Sequence, residues 1–371
     1  MAACADIRHI LYRYTNNYFI SQSFPDSMSR QAFSTISCLP WHITELYTRF
    51  FDIASLLCIR RTCRGTRRSV DSAVYKRGGN KMRKWSAKLN TFSPTFVKSW
   101  VNNLNLDSTV TDMDFMELAR FPSLHSLDMS WCKQNSISNA GILALSKLKS
   151  LTSLNMKECK QSSIGDAGII ALSKLKSLTT LNMRWCIQSS ISNVGLTSLS
   201  KLESLTSLDI TGCNQRSISN AGIIALSKLE SLTSLNMSWC NQRSIGDAGI
   251  IALSKSESLT SLDISGCSQN SISNMGITAL SKSESLTSLN MSWCKQNSIG
   301  DAGIIALSKS ESLTSLNMSR CKQNSISNTG IIALSQSESL TYLDMSFCDQ
   351  SSISDATFKA LARNTSLQVI R

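Results

Sequence analysis

Nine cysteines recur at a single fixed interval without exception: Cys132, Cys159, Cys186, Cys213, Cys240, Cys267, Cys294, Cys321 and Cys348. A thiol at fixed spacing can ligate a metal, exchange disulfides or act as a nucleophile. Each of these chemistries needs a partner. Zinc needs further Cys or His at short spacing, and a nucleophile needs a base. The chain has only three histidines, and none recurs with the period. The ladder cysteines are therefore expected to be buried structural thiols, each donating weakly to a backbone carbonyl where a strand turns away. Off the ladder, Cys58 and Cys63 have no second pair to complete a metal site. No His/Cys/Asp cluster and no phosphate-cradling G-x-x-x-x-G-K stretch is present. The expectation is a non-enzyme with no catalytic residue, no metal and no cofactor.

A second row lies just before the cysteines. It reads Trp131, Glu158, Trp185, Gly212, Trp239, Gly266, Trp293, Arg320 and Phe347, so every second unit offers an aromatic. A little earlier in each unit, directly after the second Leu, runs an Asn/Asp row that includes Asp128, Asn182, Asn236, Asn290 and Asp344. Both rows point outward from the strands and are the expected substrate-binding surface on the concave face. With strands about 4.8 Å apart, the aromatics are expected roughly 10 Å from each other, too far to stack. Two readings of the row stay open: aromatic anchors for a protein or extended peptide, or the residue of an ancestral duplication of a two-coil unit. His125 is expected at the surface. The recurring Gln (Gln242, Gln296) and the Ser before Ile are expected to bond within their turn.

The elements that position these rows follow from the full unit, L-x-x-L-[ND]-[MI]-x-x-C-x-Q-x-S-I-x-[ND]-x-G-x-x-x-L-S. Alternation around Leu235-Asn236-Met237 predicts a short parallel strand. Asp247 is expected to cap a helix over Ala248–Lys255, with Ile251 and Leu253 facing the core. One unit cannot bury its apolar face alone, whereas stacked units can. A period within the range of about 20–29 residues, with L-x-x-L-x-[MI]-x-x-C, resembles the leucine-rich repeat. The expected fold is α/β: a horseshoe-shaped leucine-rich-repeat solenoid of about nine strand-turn-helix repeats over 123–371. Residues 79–122 read as a basic linker and N-terminal capping repeat, with a degenerate first strand at Val101–Leu106 and Thr109 in the Cys position. At the other end Thr357 takes the Gly position and a last strand begins at Leu367–Ile370. No polar cap follows it, so that strand is expected to be shielded by something else or the chain to be a truncated product.

Residues 1–36 carry scattered aromatics and are not assigned. Residues 37–78 predict a small helical module. Leu39-Pro40 opens a helix with Ile43, Leu46 and Phe50 at helical spacing, Asp52 caps a second with Ile53, Leu56 and Leu57, and Ile59, Cys63 and Val70 continue a third. Such a bundle has little core of its own and needs a partner. Leu39-Pro40, "FFDIASLLCI" and the closing Cys63-Arg64 resemble the F-box, with Trp41-His42 standing where an acidic pair is common. The repeats, with Ala248-Gly249 and Ala252-Leu253, are similar to cysteine-containing leucine-rich repeats and to those of GALA-type F-box proteins. The resemblance implies that Leu39, Pro40, Ile43, Leu46, Leu56 and Ile59 contact a Skp-type adaptor of a cullin ubiquitin ligase. It further implies that the concave face holds a protein substrate near the transfer machinery.

Charge divides the chain. The first hundred residues carry 16 Lys and Arg against 5 Asp and Glu, while the remaining 271 carry 22 against 20. The basic runs Arg60–Arg68 and Lys76–Lys88 admit a nucleic-acid or anionic-membrane reading, set against the basic third helix usual in an F-box. Nucleic acid is not the expected partner. A scaffold or effector with no ligase link is the main alternative. Without a long uninterrupted apolar run or a basic-apolar leader, neither a membrane span nor a signal peptide is expected. The reading places the protein in the cytoplasm, with the nucleus and delivery to a host cell left open.

Overall fold

The computed structural model describes residues 103–106 and 110–370, less residues 120, 122–123, 133–136, 160–162, 187–190, 214–216, 241–243, 268–270, 295–297, 322–324 and 349–353. The F-box-like stretch, both basic runs, Thr109, Gln242 and Gln296 lie outside the described residues.

Strands and helices alternate throughout. The strands are β1 (Asn103–Asn105), β2 (Ser126–Asp128), β3 (Ser153–Asn155), β4 (Thr180–Asn182), β5 (Ser207–Asp209), β6 (Ser234–Asn236), β7 (Ser261–Asp263), β8 (Ser288–Asn290), β9 (Ser315–Asn317), β10 (Tyr342–Asp344) and β11 (Gln368–Ile370). The helices are α1 (Asp112–Leu118), α2 (Asn139–Leu145), α3 (Asp166–Leu172), α4 (Asn193–Leu199), α5 (Asn220–Leu226), α6 (Asp247–Leu253), α7 (Asn274–Leu280), α8 (Asp301–Ser308), α9 (Asn328–Ser335) and α10 (Asp355–Arg363). The strands form one parallel sheet in sequence order. From β2 to β10 each residue pairs with its equivalent in the next unit, as Leu235 with Leu262. The degenerate first strand joins the sheet through Asn103 opposite Ser126. The last strand joins through Gln368 opposite Tyr342.

The strands are short because the inward set is short. In β6 only Leu235 is buried, and its flanking Ser234 and Asn236 face out. The backbone ladder continues past the strand, with Met237 N–H donating to the Asp263 carbonyl at 2.9 Å and Trp239 N–H to the Ser265 carbonyl at 2.8 Å. The core between sheet and helices is a stack of Leu, Met, Cys and Ile; Leu235, Met237, Cys240, Ile245, Ile250 and Leu253 of one unit are all essentially inaccessible. Burial of these side chains, at about 1.5–3 kcal/mol for each larger one, is what a two-turn helix needs to persist. Ile250 takes the core position expected of Ile251, which is only half-buried. The helical turn advances about 100° per residue, and the Gly-Ile-x-x-Leu spacing puts Gly249, Ile250 and Leu253 on the inner face.

The helix cap also differs from expectation. The helix is Asp247–Leu253 with Gly246 as its N-cap, so Asp247 is the first helical residue. Its carboxylate serves the next unit instead. Asp247 Oδ1 accepts the Ser273 N–H at 2.8 Å and the Gly276 N–H at 3.0 Å, while Oδ2 accepts the Ser273 hydroxyl at 2.6 Å. The acceptor occupies the place a Cβ would take: one built on Gly276 would lie 2.6 Å from Asp247 Oδ1. At α10 the glycine is replaced, and the Thr357 hydroxyl donates to Asn328 Oδ1 at 2.6 Å in its stead.

Candidate protein-binding edge of the sheet

Each strand ends in an Asn or Asp that closes the turn leading to the cysteine. Asp128 Oδ1 accepts the Ser130 N–H at 2.8 Å, Asn182 the Arg184 N–H at 2.9 Å and Asn236 the Ser238 N–H at 3.0 Å. Asn290 and Asp344 do the same for Ser292 at 3.0 Å and Ser346 at 2.9 Å. This is the local side-chain mimicry of a backbone turn that Asn and Asp perform best. The five Asn/Asp residues singled out in the sequence therefore share one edge of the sheet, half-buried, each with one oxygen engaged.

The turn forces the following row into an unusual backbone. The residue before every ladder cysteine has positive φ: Trp131 64°, Glu158 56°, Trp185 57°, Gly212 66°, Trp239 57°, Gly266 64°, Trp293 58°, Arg320 56° and Phe347 56°. Glycine adopts this region freely, whereas an L side chain is held there at a cost of about 1–2 kcal/mol. The two glycines are thus the relaxed members of the row, and the seven side chains are kept against strain.

The spacing of the aromatics follows from the glycines. A Cβ on Gly266 would lie 2.6 Å from Cδ2 of Trp239, and one on Gly212 would clash with the Trp185 ring at its Cε3. Each of these tryptophans folds across the glycine of the next unit. Trp239 consequently reaches Trp293, with ring centroids 6.0 Å apart and planes tilted by 51°. The expectation of rings too far apart to touch does not hold for this pair, because the side chain leans along the sheet where the intervening unit has none. Trp131 carries Lys157 Nζ over its ring at 5.3 Å. Arg320 lies between two rings, with its guanidinium carbon 4.6 Å from the Trp293 centroid and 4.4 Å from the Phe347 centroid. Trp131, Trp239 and Trp293 are 40–47% exposed and Phe347 72%, while Trp185 is half-buried.

Behind this edge the cysteines sit inside the turn. From Cys159 onward each Sγ donates to a main-chain carbonyl at the strand end of the preceding unit, as Cys159 to Met129 at 2.9 Å, Cys213 to Met183 at 3.1 Å and Cys267 to Met237 at 3.2 Å. Burial raises the thiols: Cys267 and Cys321 are pushed up to about 12, and Cys213 also rises well above the ordinary value. The raised values keep these three thiols in the protonated, donating form. The serine before Ile bonds across units and not within its turn, with Ser244 Oγ donating to the Ile218 carbonyl at 2.7 Å and Ser298 Oγ to Ile272 at 2.6 Å. No helix among the described residues is long and apolar enough to cross a membrane.

Arg320, Gly212 and Gly266 of this row, and Lys157 beside it, are not among the residues that the sequence singles out. Gly at two of nine equivalent positions was the available signal, since it marks a left-handed turn shared by all nine.

The family model described as Leucine Rich repeat matches residues 228–254 and 282–308. No curated protein matches the chain. Among solved structures, the chain is similar to one titled "Crystal structure of TLR13-ssRNA13 complex", at 20% identity and TM-score 0.49, over 72% of this chain and 35% of that one. It is also similar to "Crystal structure of Rad7 and Elc1 complex in yeast", at 21% identity and TM-score 0.46, over 94% of this chain and 93% of that one. The chain thus spans about a third of the length of the first. Two stretches of this protein, residues 228–254 and 282–308, match the leucine-rich repeat, and the same strand-turn-helix unit is stacked strand upon strand in one parallel sheet.

Proposed function

We propose that this chain is a protein-binding adaptor whose repeats hold a protein substrate along the strand edge. One observation carries the reading: seven of nine left-handed positions retain Trp, Glu, Arg or Phe side chains where glycine would relieve the backbone. Exposed aromatics at neighbouring positions of a rigid sheet are the residue types that dominate protein interfaces. The finer part of the proposal concerns the N-terminal segment. Leu39, Pro40, Ile43, Leu46, Leu56 and Ile59 would dock a Skp-type adaptor, making the chain the substrate-recognition subunit of a cullin ubiquitin ligase. The support is the F-box resemblance of residues 37–78. The chain itself would do no chemistry and would act by holding its substrate close to the transfer site.

The test is capture of purified Skp-type adaptor by the full chain, beside the variant with Leu39, Pro40 and Ile43 changed to Ala. Capture by the first and its loss in the second is expected. No capture by either would sink the ligase link and leave a repeat scaffold.

A further inference from the structure

We propose that Trp293, Arg320 and Phe347 form a clamp for a carboxylate side chain of a linear acidic peptide, whose neighbouring apolar side chain lies on the Trp239–Trp293 pair. The proposal rests on the protein-binding reading above and names the partner chemistry of that edge.

Arg320 is exposed, and its guanidinium carbon stands 4.6 and 4.4 Å from two ring centroids contributed by the units on either side. Cation–π contact with two rings shields the guanidinium from water and restricts its side-chain rotamer. The edge of the guanidinium, where its N–H donors lie, is left for a ligand. Neither a hydrogen bond nor an ion pair holds that guanidinium among the described residues. Its nearest acidic neighbour in the left-handed row is Glu158, six units or about 29 Å away along the sheet. Asp344, in the adjoining unit, is engaged by the Ser346 N–H at 2.9 Å. The other near neighbours on this edge, Asn290, Asn317, Ser292 and Ser319, are uncharged. Among the described residues no ion pair neutralises that charge, and the two ring contacts hold it in place.

A guanidinium fork matches a carboxylate bidentately, and a donor already held in place loses less entropy on binding. The tilted Trp239–Trp293 pair, 6.0 Å between centroids, supplies an apolar platform beside the clamp. Trp239 is three units from Arg320, about 14 Å along the sheet, which an extended peptide covers in about four residues. A polyanion such as nucleic acid is disfavoured. It needs a run of cations, whereas the row two before the cysteines has Lys157 and Arg184 at one end and then only Thr211, Ser238, Ser265, Ser292, Ser319 and Ser346.

The experiment uses the full chain and fluorescence anisotropy. The probes are a fluorescein-labelled dodecapeptide of alternating Glu and Leu, its counterpart with Gln for every Glu, and a dodecameric oligothymidylate. The wild type is expected to bind the Glu peptide at least tenfold more tightly than the Gln peptide and than the oligonucleotide. Arg320→Gln should remove that preference, Arg320→Lys should keep only part of it, and Lys359→Gln on the helix face should leave it unchanged. Thermal melts of all three variants should match the wild type. Equal binding of the two peptides, binding of neither, tighter binding of the oligonucleotide, or an undiminished preference in Arg320→Gln would each overturn the clamp. Glu-independent peptide binding would leave the protein-binding reading standing, and failed adaptor capture would not bear on this result.

Discussion

At the scale of single residues, two positions in each unit are set by one turn. The cysteine is inside it and the left-handed residue is on top. Because the folded thiol of Cys267 is held at about 12 by burial, folding favours its protonated form. Its contribution to stability is complete below the unfolded value near 9 and is lost as pH rises from there toward 12. Cys267→Ala removes both the bond to the Met237 carbonyl and the titration. It should cost about 1–2 kcal/mol at neutral pH, and the gap to the wild type should narrow in urea titrations at alkaline pH. A gap independent of pH would refute the buried-donor account. On top of the turn, Gly266→Ala meets two obstacles at once, φ of 64° and the Trp239 ring. A loss of about 1–3 kcal/mol is expected, with a shift in tryptophan emission as the ring is displaced. Unchanged emission would mean the ring does not lie over Gly266.

At the scale of elements, each helix from α2 onward is capped by the helix before it, and the cap residues are matched in chemistry. Asp112, Asp166, Asp247 and Asp301 all face a Ser in the next unit, whose hydroxyl the second carboxylate oxygen accepts. Gly165, Gly246 and Gly300 all face an Asn, whose single oxygen accepts two N–H groups. The alternation of Ser-Asn with Gly-Asp along most of the chain is this match written in sequence. Where Ser219 faces Asn193 instead, the amide donates to the hydroxyl at 2.8 Å. Asp247→Asn turns an acceptor of the Ser273 hydroxyl into an amide and should destabilise by about 1 kcal/mol. Adding Ser273→Gly should recover part of that loss, so the double-mutant cycle by urea unfolding should show non-additivity. Additive losses would mean the hydroxyl bond contributes nothing. This cap was not legible beforehand, because Asp247 sits where an N-cap is ordinarily read and its pairing partner lies a whole unit further along the chain. Strand and core, by contrast, were legible from period alone: Leu235, Met237 and Cys240 recur inward because a parallel stack admits no other register.

At the scale of the whole array, stability is a sum over units and their interfaces. A single unit is nevertheless not the repeat that the surface recognises. The core repeats with every unit, and the edge over most of its length with every second one, because Trp185 and Trp239 each need a glycine in front of them. This is why the aromatic spacing could be read from sequence while the rings' contact could not: the period gives backbone distances, and the lean of a ring depends on what its neighbour lacks. Two deletions separate the repeats. Removing residues 220–273 joins a unit ending in Gly212 to one bearing Trp293, so a glycine still follows Trp185. Removing only residues 247–273 takes out Gly266 and sets Trp239 directly before Trp293, whose Cβ would stand where the Trp239 ring now lies. The longer deletion should therefore unfold cooperatively in proportion to its length. The shorter one should lose a further amount of about 1–3 kcal/mol from overpacking, although it removes fewer contacts. Circular dichroism against urea distinguishes them. If the shorter deletion proves the more stable, the aromatics sit on the edge without constraining it, and their spacing records duplication alone.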